Sequence, residues 1–120
     1  MQTNLQELEA RLGYSFTHPQ LLERALTHTS FAYEHKSAVK GRTCEDYEAL
    51  EFLGDAILAF LISDHLFKAH PSQTEGELSK MRSFLVSTTQ LASLSRDLDL
   101  GAFLRLGRGE EKTGGRQKKA

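Results

Sequence analysis

The chain has 120 residues and a formal net charge of −1, so it suits a single domain and its overall charge favours no particular class of partner. Its single cysteine, Cys44, excludes an intrachain disulfide and fits a reducing, cytoplasmic setting. No secretory signal is expected at the N-terminus, and the longest apolar run, residues 56 to 62, is far too short to span a membrane. We therefore expect neither a disulfide-rich secreted protein nor a membrane-spanning one.

Two short helices are predicted at the start of the chain. The first covers residues 5 to 12, with Asn4 as its N-cap and Gly13 at its end. Pro19 suits the first turn of the second, which runs through LLERALTH. Helical spacing predicts that the second helix buries four apolar residues: Leu21, Leu22, Ala25 and Leu26.

A loop and a long helix follow. Residues 29 to 43 show no apolar periodicity and are interpreted as a loop. The long helix is expected to be capped by Thr43 or Asp46 and to stop before Pro71.

Two further helices complete the predicted elements. Thr74 and Glu77 form a capping box that opens a helix through about Val86. Another helix is expected from about residue 88 to residue 100, ending at Gly101. No strand-like alternation of useful length occurs, so the sequence predicts an all-α helical bundle over residues 1 to 120.

The C-terminal part of the chain differs in charge from the rest. Residues 101 to 120 hold six basic and two acidic side chains, a net charge of +4, whereas the first hundred residues carry −5. Five of the nine glycines also lie there, which predicts flexibility. On composition alone a solvated loop is the simpler interpretation, and an anion-binding surface is the alternative. The candidate contacts to a nucleic-acid backbone are Arg105, Arg108, Lys112, Arg116, Lys118 and Lys119.

The segment YEALEFLGDAIL, residues 47 to 58, places three carboxylates on a largely apolar helix. At 100° per residue, Glu48, Glu51 and Asp55 fall within about 60° of one another. Like charges at this spacing destabilise a helix by a few tenths of a kcal/mol unless a positive charge neutralises them, and a divalent cation would do so. The opposite face is predicted to enter the core through Leu50, Leu53, Ile57, Phe60 and Leu61.

Two residues of the same helix predict a second interface. Phe52 is a large aromatic side chain on the acidic side, away from the predicted core face. Gly54 costs about 1 kcal/mol relative to alanine within a helix, and close approach of another helix would explain it. Together they predict that this face lines a groove between two subunits.

Beyond these patterns, the sequence resembles the endonuclease domain of the ribonuclease III family. YEALEFLGDAIL is similar to that family's signature motif. The flanking segments LGYSFTHPQLLERALTHTS, EGELSKMRSFLVS and LGRGEEKTGGRQKK resemble other family segments, in the same order. The resemblance implies an all-α homodimeric domain that uses Mg²⁺, with Mn²⁺ as a possible substitute. Such enzymes cut double-stranded RNA, including rRNA precursors, to 5′-phosphate and 3′-hydroxyl ends.

The resemblance also implies roles for individual residues. Glu51 corresponds to a metal ligand and Asp55 to a catalytic carboxylate that orders metal and water. Glu48 matches an auxiliary acidic position, and Phe52 matches a residue of the dimer interface. The basic stretch, residues 105 to 120, would contact the RNA backbone.

The chain departs from the family pattern in one respect. The family's other two essential carboxylates form an Asp-x-x-Glu pair, and no such pair occurs in these 120 residues. A double-stranded-RNA-binding domain is also absent from them. We therefore expect a C-terminally incomplete endonuclease domain that carries half of the catalytic carboxylates and cuts RNA weakly or not at all by itself.

Other functional classes remain open on the sequence. A non-catalytic helical module for dimerisation or RNA binding would also fit the missing pair, as would a compact ribonuclease III relative without an RNA-binding domain. The five histidines lack the spacing of zinc or di-iron sites. His28 is interpreted as a hydrogen-bonded structural residue rather than a catalytic base.

Overall fold

The computed structural model describes residues 4–35 and 45–117 of the chain. These residues form α-helices and short 3₁₀ segments. No helix among them is long and apolar enough to cross a bilayer. In chain order the α-helices are α1 (Leu5–Leu12), α2 (Pro19–Ala25), α3 (Thr29–Glu34), α4 (Glu48–Ala69), α5 (Glu75–Leu85), α6 (Thr88–Leu98) and α7 (Arg108–Lys112).

Several helix boundaries confirm the sequence prediction. The Asn4 side chain accepts hydrogen bonds from the backbone N–H groups of Gln6 and Glu7, and Gly13 ends α1 with φ of 68°. Thr74 and Glu77 form the expected capping box at the start of α5. These signals were readable because each depends on residues within a few positions of the helix end.

Other boundaries were wrong. The predicted loop contains α3, whose first turn is capped by the His28 side chain. The rest of that predicted loop from residue 36 onward, and the candidate cap Thr43, lie outside the described residues. Helix α6 ends at Leu98, two residues early, because Asp99 turns the chain with φ of 54° into a 3₁₀ segment, Leu100–Phe103.

The main core lies between the first two helices and the segment after α6. Leu8, Leu22, Leu26 and Phe103 are buried together there. The prediction for α2 was correct for Leu22 and Leu26 but wrong for Leu21 and Ala25, which are exposed. Helix α2 has only two turns and contacts the core on the side that holds Leu22 and Leu26, so the neighbouring apolar positions stay in solvent.

The predicted core face of α4 was also wrong for the described residues. Helix α5 packs instead on the side of α4 that holds Leu66, which is 4% exposed, and Arg82 donates a hydrogen bond to the Ser63 hydroxyl across this contact. This is the same side of α4 that carries Glu48, Glu51 and Asp55 nearer to its start. Leu50 is half-buried, and the other four residues of the predicted core face, Leu53, Ile57, Phe60 and Leu61, are exposed.

This packing gives the described part of the chain an extended shape. Its radius of gyration is 17.0 Å, with extents of 57 × 31 × 26 Å. A compact domain of this length would have a radius of about 14 Å. The long helix and its exposed apolar stripe account for the difference, because only part of α4 is covered.

The C-terminal stretch is folded rather than flexible as far as residue 117. Helix α7 packs against α3, and Arg105 pairs with residue 27 in a parallel β-bridge. The glycines permit this close packing. A Cβ atom at Gly107 would lie 2.8 Å from the Ser30 carbonyl oxygen, and one at Gly101 would lie 2.6 Å from the Arg116 carbonyl oxygen.

Candidate active site and nucleic-acid interface

The acidic candidates lie at the exposed beginning of α4. The N-cap of α4 is Tyr47, without a side-chain cap bond, so the predicted cap at Asp46 was one residue early. The Asp46 side chain still accepts a hydrogen bond of 3.0 Å from the Glu48 backbone N–H. Glu48, Glu51 and Asp55 are all exposed to solvent. Helix α4 packs on α5 further along, through the side that holds Leu66, so this packing leaves Glu51 and Asp55 open to solvent.

Glu48 has a contact from outside its own helix. The Thr29 hydroxyl donates a hydrogen bond of 3.1 Å to the Glu48 carboxylate. Because Thr29 opens α3 and Glu48 opens α4, this bond ties the starts of the two helices together. It fixes the Glu48 carboxylate and leaves Glu51 and Asp55 to the solvent.

Tyr47 lies among these acidic groups. Burial of the ring raises the pKa of the Tyr47 hydroxyl above its ordinary value of 10.0, and the nearby carboxylates of Glu51, Asp46, Glu110 and Glu48 raise it further. The His28 ring meets the Tyr47 ring edge to face at a centroid distance of 5.8 Å. The site therefore carries a concentrated negative potential around a protonated phenol.

The carboxylates fit a hard divalent cation in part. Positions 51 and 55 are one helical turn apart, and Mg²⁺ in phosphate-processing sites is held by one or two carboxylates, with waters and substrate phosphates as the remaining ligands. Across the ranges 4–35 and 45–117, no three Asp, Glu, His or Cys side chains group closely enough to form a complete protein cage. Glu51, with Asp55 one turn away, would therefore supply only part of the ligand set of such an ion.

The predicted interface residues lie on open surface. Phe52 is 82% exposed, and a Cβ atom at Gly54 would meet no atom within 4 Å. The role of both residues in a subunit interface stays a prediction, because it requires a second chain.

The predicted RNA-contacting residues differ in their exposure. Arg108 and Lys112 are exposed on α7, and neither has an ion-pair partner in the described ranges. Arg116 is turned toward the protein instead: its guanidinium donates to the carbonyl oxygens of Gly101 and Leu104 at 2.9 and 2.6 Å.

Arg116 and Arg105 also contact side chains of the protein. The Arg116 side chain donates to the Glu111 carboxylate at 2.9 Å, which lowers the pKa of Glu111 below its ordinary value of 4.5. Arg105 lies over the Phe31 ring, 4.4 Å from its centroid. The last two candidates, Lys118 and Lys119, lie outside the described residues.

Three distant segments meet at Thr27, which is fully buried. Its backbone carbonyl accepts a hydrogen bond of 3.0 Å from the Tyr47 N–H. On either side of Thr27, the His28 N–H donates to the Arg105 carbonyl at 3.0 Å and the Arg105 N–H donates to the Leu26 carbonyl at 2.8 Å. This junction brings the start of the acidic helix α4 and the start of the basic stretch together at the C-terminal end of α2.

Sequence reasoning missed the residues that hold α7. Ser30 and Glu34 lie in the predicted loop, yet they bind the backbone of Gly107 and Arg108. The pattern THTS, residues 27 to 30, was the available signal, since Ser and Thr often begin helices. His28 is hydrogen-bonded, as expected: its Nδ1 accepts a hydrogen bond of 3.0 Å from the Ser30 N–H.

Comparisons with known proteins confirm the resemblance. A family model described as Ribonuclease-III-like matches residues 18–120. Ribonuclease 3 of Solibacter usitatus is 50% identical over 113 residues, which are 93% of this chain and 42% of that protein. Ribonuclease 3 of Desulforamulus reducens is 49% identical over 111 residues, 92% of this chain and 44% of that protein. The chain thus spans less than half the length of these curated relatives.

Solved structures agree. A 2.2 Å crystal structure of the nuclease domain of ribonuclease III from Campylobacter jejuni matches with a TM-score of 0.82 and 38% identity, covering 98% of this chain and 73% of that one. A second structure of that domain, described as flexible in the region involved in dimer formation, also has a TM-score of 0.82 over 96% of this chain. Sequence and fold therefore agree, and the chain belongs to the ribonuclease-III-like family.

Proposed function

We propose that this chain is the main part of the nuclease domain of a cytoplasmic endoribonuclease that hydrolyses double-stranded RNA, including rRNA precursors. The observation that carries the proposal is the pair of exposed carboxylates, Glu51 and Asp55, one turn apart on a helix whose sequence matches ribonucleases. Two like charges at this spacing raise the energy of the bare helix, so a ligand is the simplest reason for their presence.

Each residue then has a distinct task. Glu51 would bind a magnesium ion, for which manganese could substitute, and Asp55 would orient the attacking water and the metal's own waters. When bound, the metal activates water and neutralises charge on the leaving oxygen, which gives a 5′-phosphate and a 3′-hydroxyl. Glu48, fixed by the Thr29 hydroxyl, would shape the edge of the acidic groove.

The surrounding surface suits a dimer on a duplex. Exposed Phe52, next to the acidic pair, would bury its ring against a second copy of the chain and bring two acidic grooves together. Arg108 and Lys112 on α7 would contact phosphates, since A-form RNA is recognised mainly through its shape, phosphates and 2′-hydroxyls. The chain holds no Asp-x-x-Glu pair, so we expect the remaining metal ligands to come from another segment of the longer protein.

The test compares Glu51→Gln and Asp55→Asn with Asp64→Asn in the full-length protein. Asp64 is the matched control, because it is an exposed carboxylate on the same helix, paired with Lys68. We expect the first two variants to lose magnesium-dependent cleavage of duplex RNA and to melt at or slightly above the native temperature. Cleavage that survives both substitutions would contradict the proposal.

A non-catalytic dimerisation or RNA-binding module is the second candidate. The missing Asp-x-x-Glu pair and the exposed Phe52 favour it. The same variants distinguish the two functions: a binding module would keep its RNA affinity and show no magnesium-dependent cleavage even before substitution. Efficient cleavage by the 120-residue chain alone would contradict our expectation that it carries only half of the ligand set.

A further inference from the structure

Helix α7 is held in place by a carboxylate from α3. The backbone N–H of Arg108 donates to both carboxylate oxygens of Glu34, at 2.9 and 3.0 Å, although the two residues are 74 positions apart. Glu34 thus occupies the beginning of α7, where backbone N–H groups have no partner within the helix. A negative charge there also complements the helix dipole.

A second contact fixes the preceding residue. The backbone N–H of Gly107 donates to the Ser30 hydroxyl oxygen at 2.9 Å, and that hydroxyl lies 2.7 Å from Nδ1 of His28. Because Nδ1 also accepts from the Ser30 N–H, it carries no proton, and the Ser30 hydroxyl donates to it. Ser30 is therefore oriented by His28 so that its oxygen accepts from Gly107.

Helix α7 needs this external support. It has five residues, of which Gly109 is one, and a helix this short is not stable by itself in water. Its position relative to the rest of the protein therefore depends on the contacts at its ends. The direction of the Arg108 and Lys112 side chains depends on the same contacts.

We propose that Glu34 and Ser30 are positioning residues for RNA binding: they clamp the start of α7 to α3 so that Arg108 and Lys112 meet the phosphate backbone in one fixed arrangement. The inference rests on the proposed role of those two basic residues. Neither Glu34 nor Ser30 needs to contact RNA itself. Their effect passes through the backbone of Gly107 and Arg108.

The sign of the Glu34 effect separates this proposal from simple electrostatics. Removing a negative charge beside a basic segment strengthens attraction to a polyanion. Loss of the clamp acts in the opposite direction, because Arg108 and Lys112 lose their fixed placement and must be ordered again, at an entropic cost, when RNA binds. A weaker complex after loss of Glu34 thus requires the positional explanation.

The experiment measures binding of a duplex RNA without magnesium, so that no cleavage occurs, over a series of salt concentrations. For Glu34→Ala we expect the dissociation constant to rise about three- to tenfold, with a smaller rise for Ser30→Ala. Glu34→Gln keeps one acceptor oxygen and should restore most of the affinity. Glu7→Ala is the control, since it removes a hydrogen-bonded carboxylate from α1, far along the chain from α7.

A combined variant tests whether Glu34 acts through α7. Arg108→Ala with Lys112→Ala should weaken binding and reduce the steepness of its salt dependence. Adding Glu34→Ala to this double variant should then weaken RNA binding no further.

The outcomes separate the inference from the proposed function. If the double variant, Arg108→Ala with Lys112→Ala, binds RNA like the native protein, the basic surface itself is wrongly assigned. If the double variant weakens binding while Glu34→Ala and Ser30→Ala do not, only the clamp is refuted. The same holds if Glu34→Ala binds RNA more tightly than the native protein. Loss of the whole helical circular-dichroism signal in both clamp variants would also refute it, because the residues would then hold the fold and not the position of α7.

Discussion

Arg116 offers the sharpest test of how the basic stretch is divided between structure and binding. Its guanidinium donates three hydrogen bonds, to the carbonyl oxygens of Gly101 and Leu104 and to the Glu111 carboxylate, and its side chain is 27% exposed. A lysine at this position keeps the positive charge but has one compact ammonium group in place of a planar fork. It cannot reach all three acceptors in the same geometry.

The expected loss in Arg116→Lys follows from these contacts. A hydrogen bond to a charged group contributes about 1.5–3 kcal/mol, and partial exposure reduces this because water can replace the lost partner. With one or two of the three bonds lost, the free energy of unfolding should fall by about 2 kcal/mol. In a domain of this size that lowers the melting temperature by roughly 6–10 °C.

Circular dichroism during heating gives the melting temperature, and a salt series of RNA-binding measurements below it gives the affinity. Arg116→Lys should melt earlier while binding duplex RNA almost as the native protein does. Arg108→Ala should show the reverse pattern. An Arg116→Lys chain with native stability and a large loss of affinity would refute the structural assignment of Arg116.

The remaining predictions concern the acidic helix and α7. Substituting Glu51 by Gln should lower the pKa of Tyr47 toward its ordinary value, because the Glu51 charge is one of the groups that raise it. The phenolate absorbance of Tyr47 measures this: in both the native and the Glu51→Gln background, the titration of the Tyr47→Phe protein is subtracted. Since the pKa of Tyr47 is raised by folding, its contribution to stability is complete below pH 10.0 and is lost as the pH rises through the folded value. Gly107→Ala should destabilise the protein by about 1–3 kcal/mol in urea unfolding, because the new methyl group would lie 2.8 Å from the Ser30 carbonyl oxygen. Gly109→Ala, with nothing within 4 Å of its new methyl group, should instead stabilise α7, and equal effects at both glycines would contradict the packing argument.

Features that depend on local chemistry were predictable from the sequence. The caps at Asn4 and Thr74, the start of α2 at Pro19 and the exposed acidic stripe each follow from residues within one or two turns. The family resemblance added the ordering of these segments, and the comparisons bear it out.

The features that escaped prediction depend on distant contacts. Glu34 reads as an isolated charge in an aperiodic stretch, and only the approach of Arg108, 74 residues away, explains it. The apolar face of α4 was assigned to the core because periodicity identifies a face that avoids water but not the surface that covers it. Phe60, for example, is 68% exposed in the described structure. The glycines of the basic stretch predict flexibility by composition, although Gly107 is needed because α3 passes so close.

The junction at Thr27 also constrains the order in which the protein folds. The contact between Thr27 and Tyr47 closes a loop of about 20 residues, whereas the bridge to Arg105 closes one about four times longer. Each doubling of loop length adds about 0.6 kcal/mol of entropic cost, so the longer closure is about 1 kcal/mol less favourable and should form later. The acidic helix would therefore dock first, and the basic stretch would be the last segment to acquire its place.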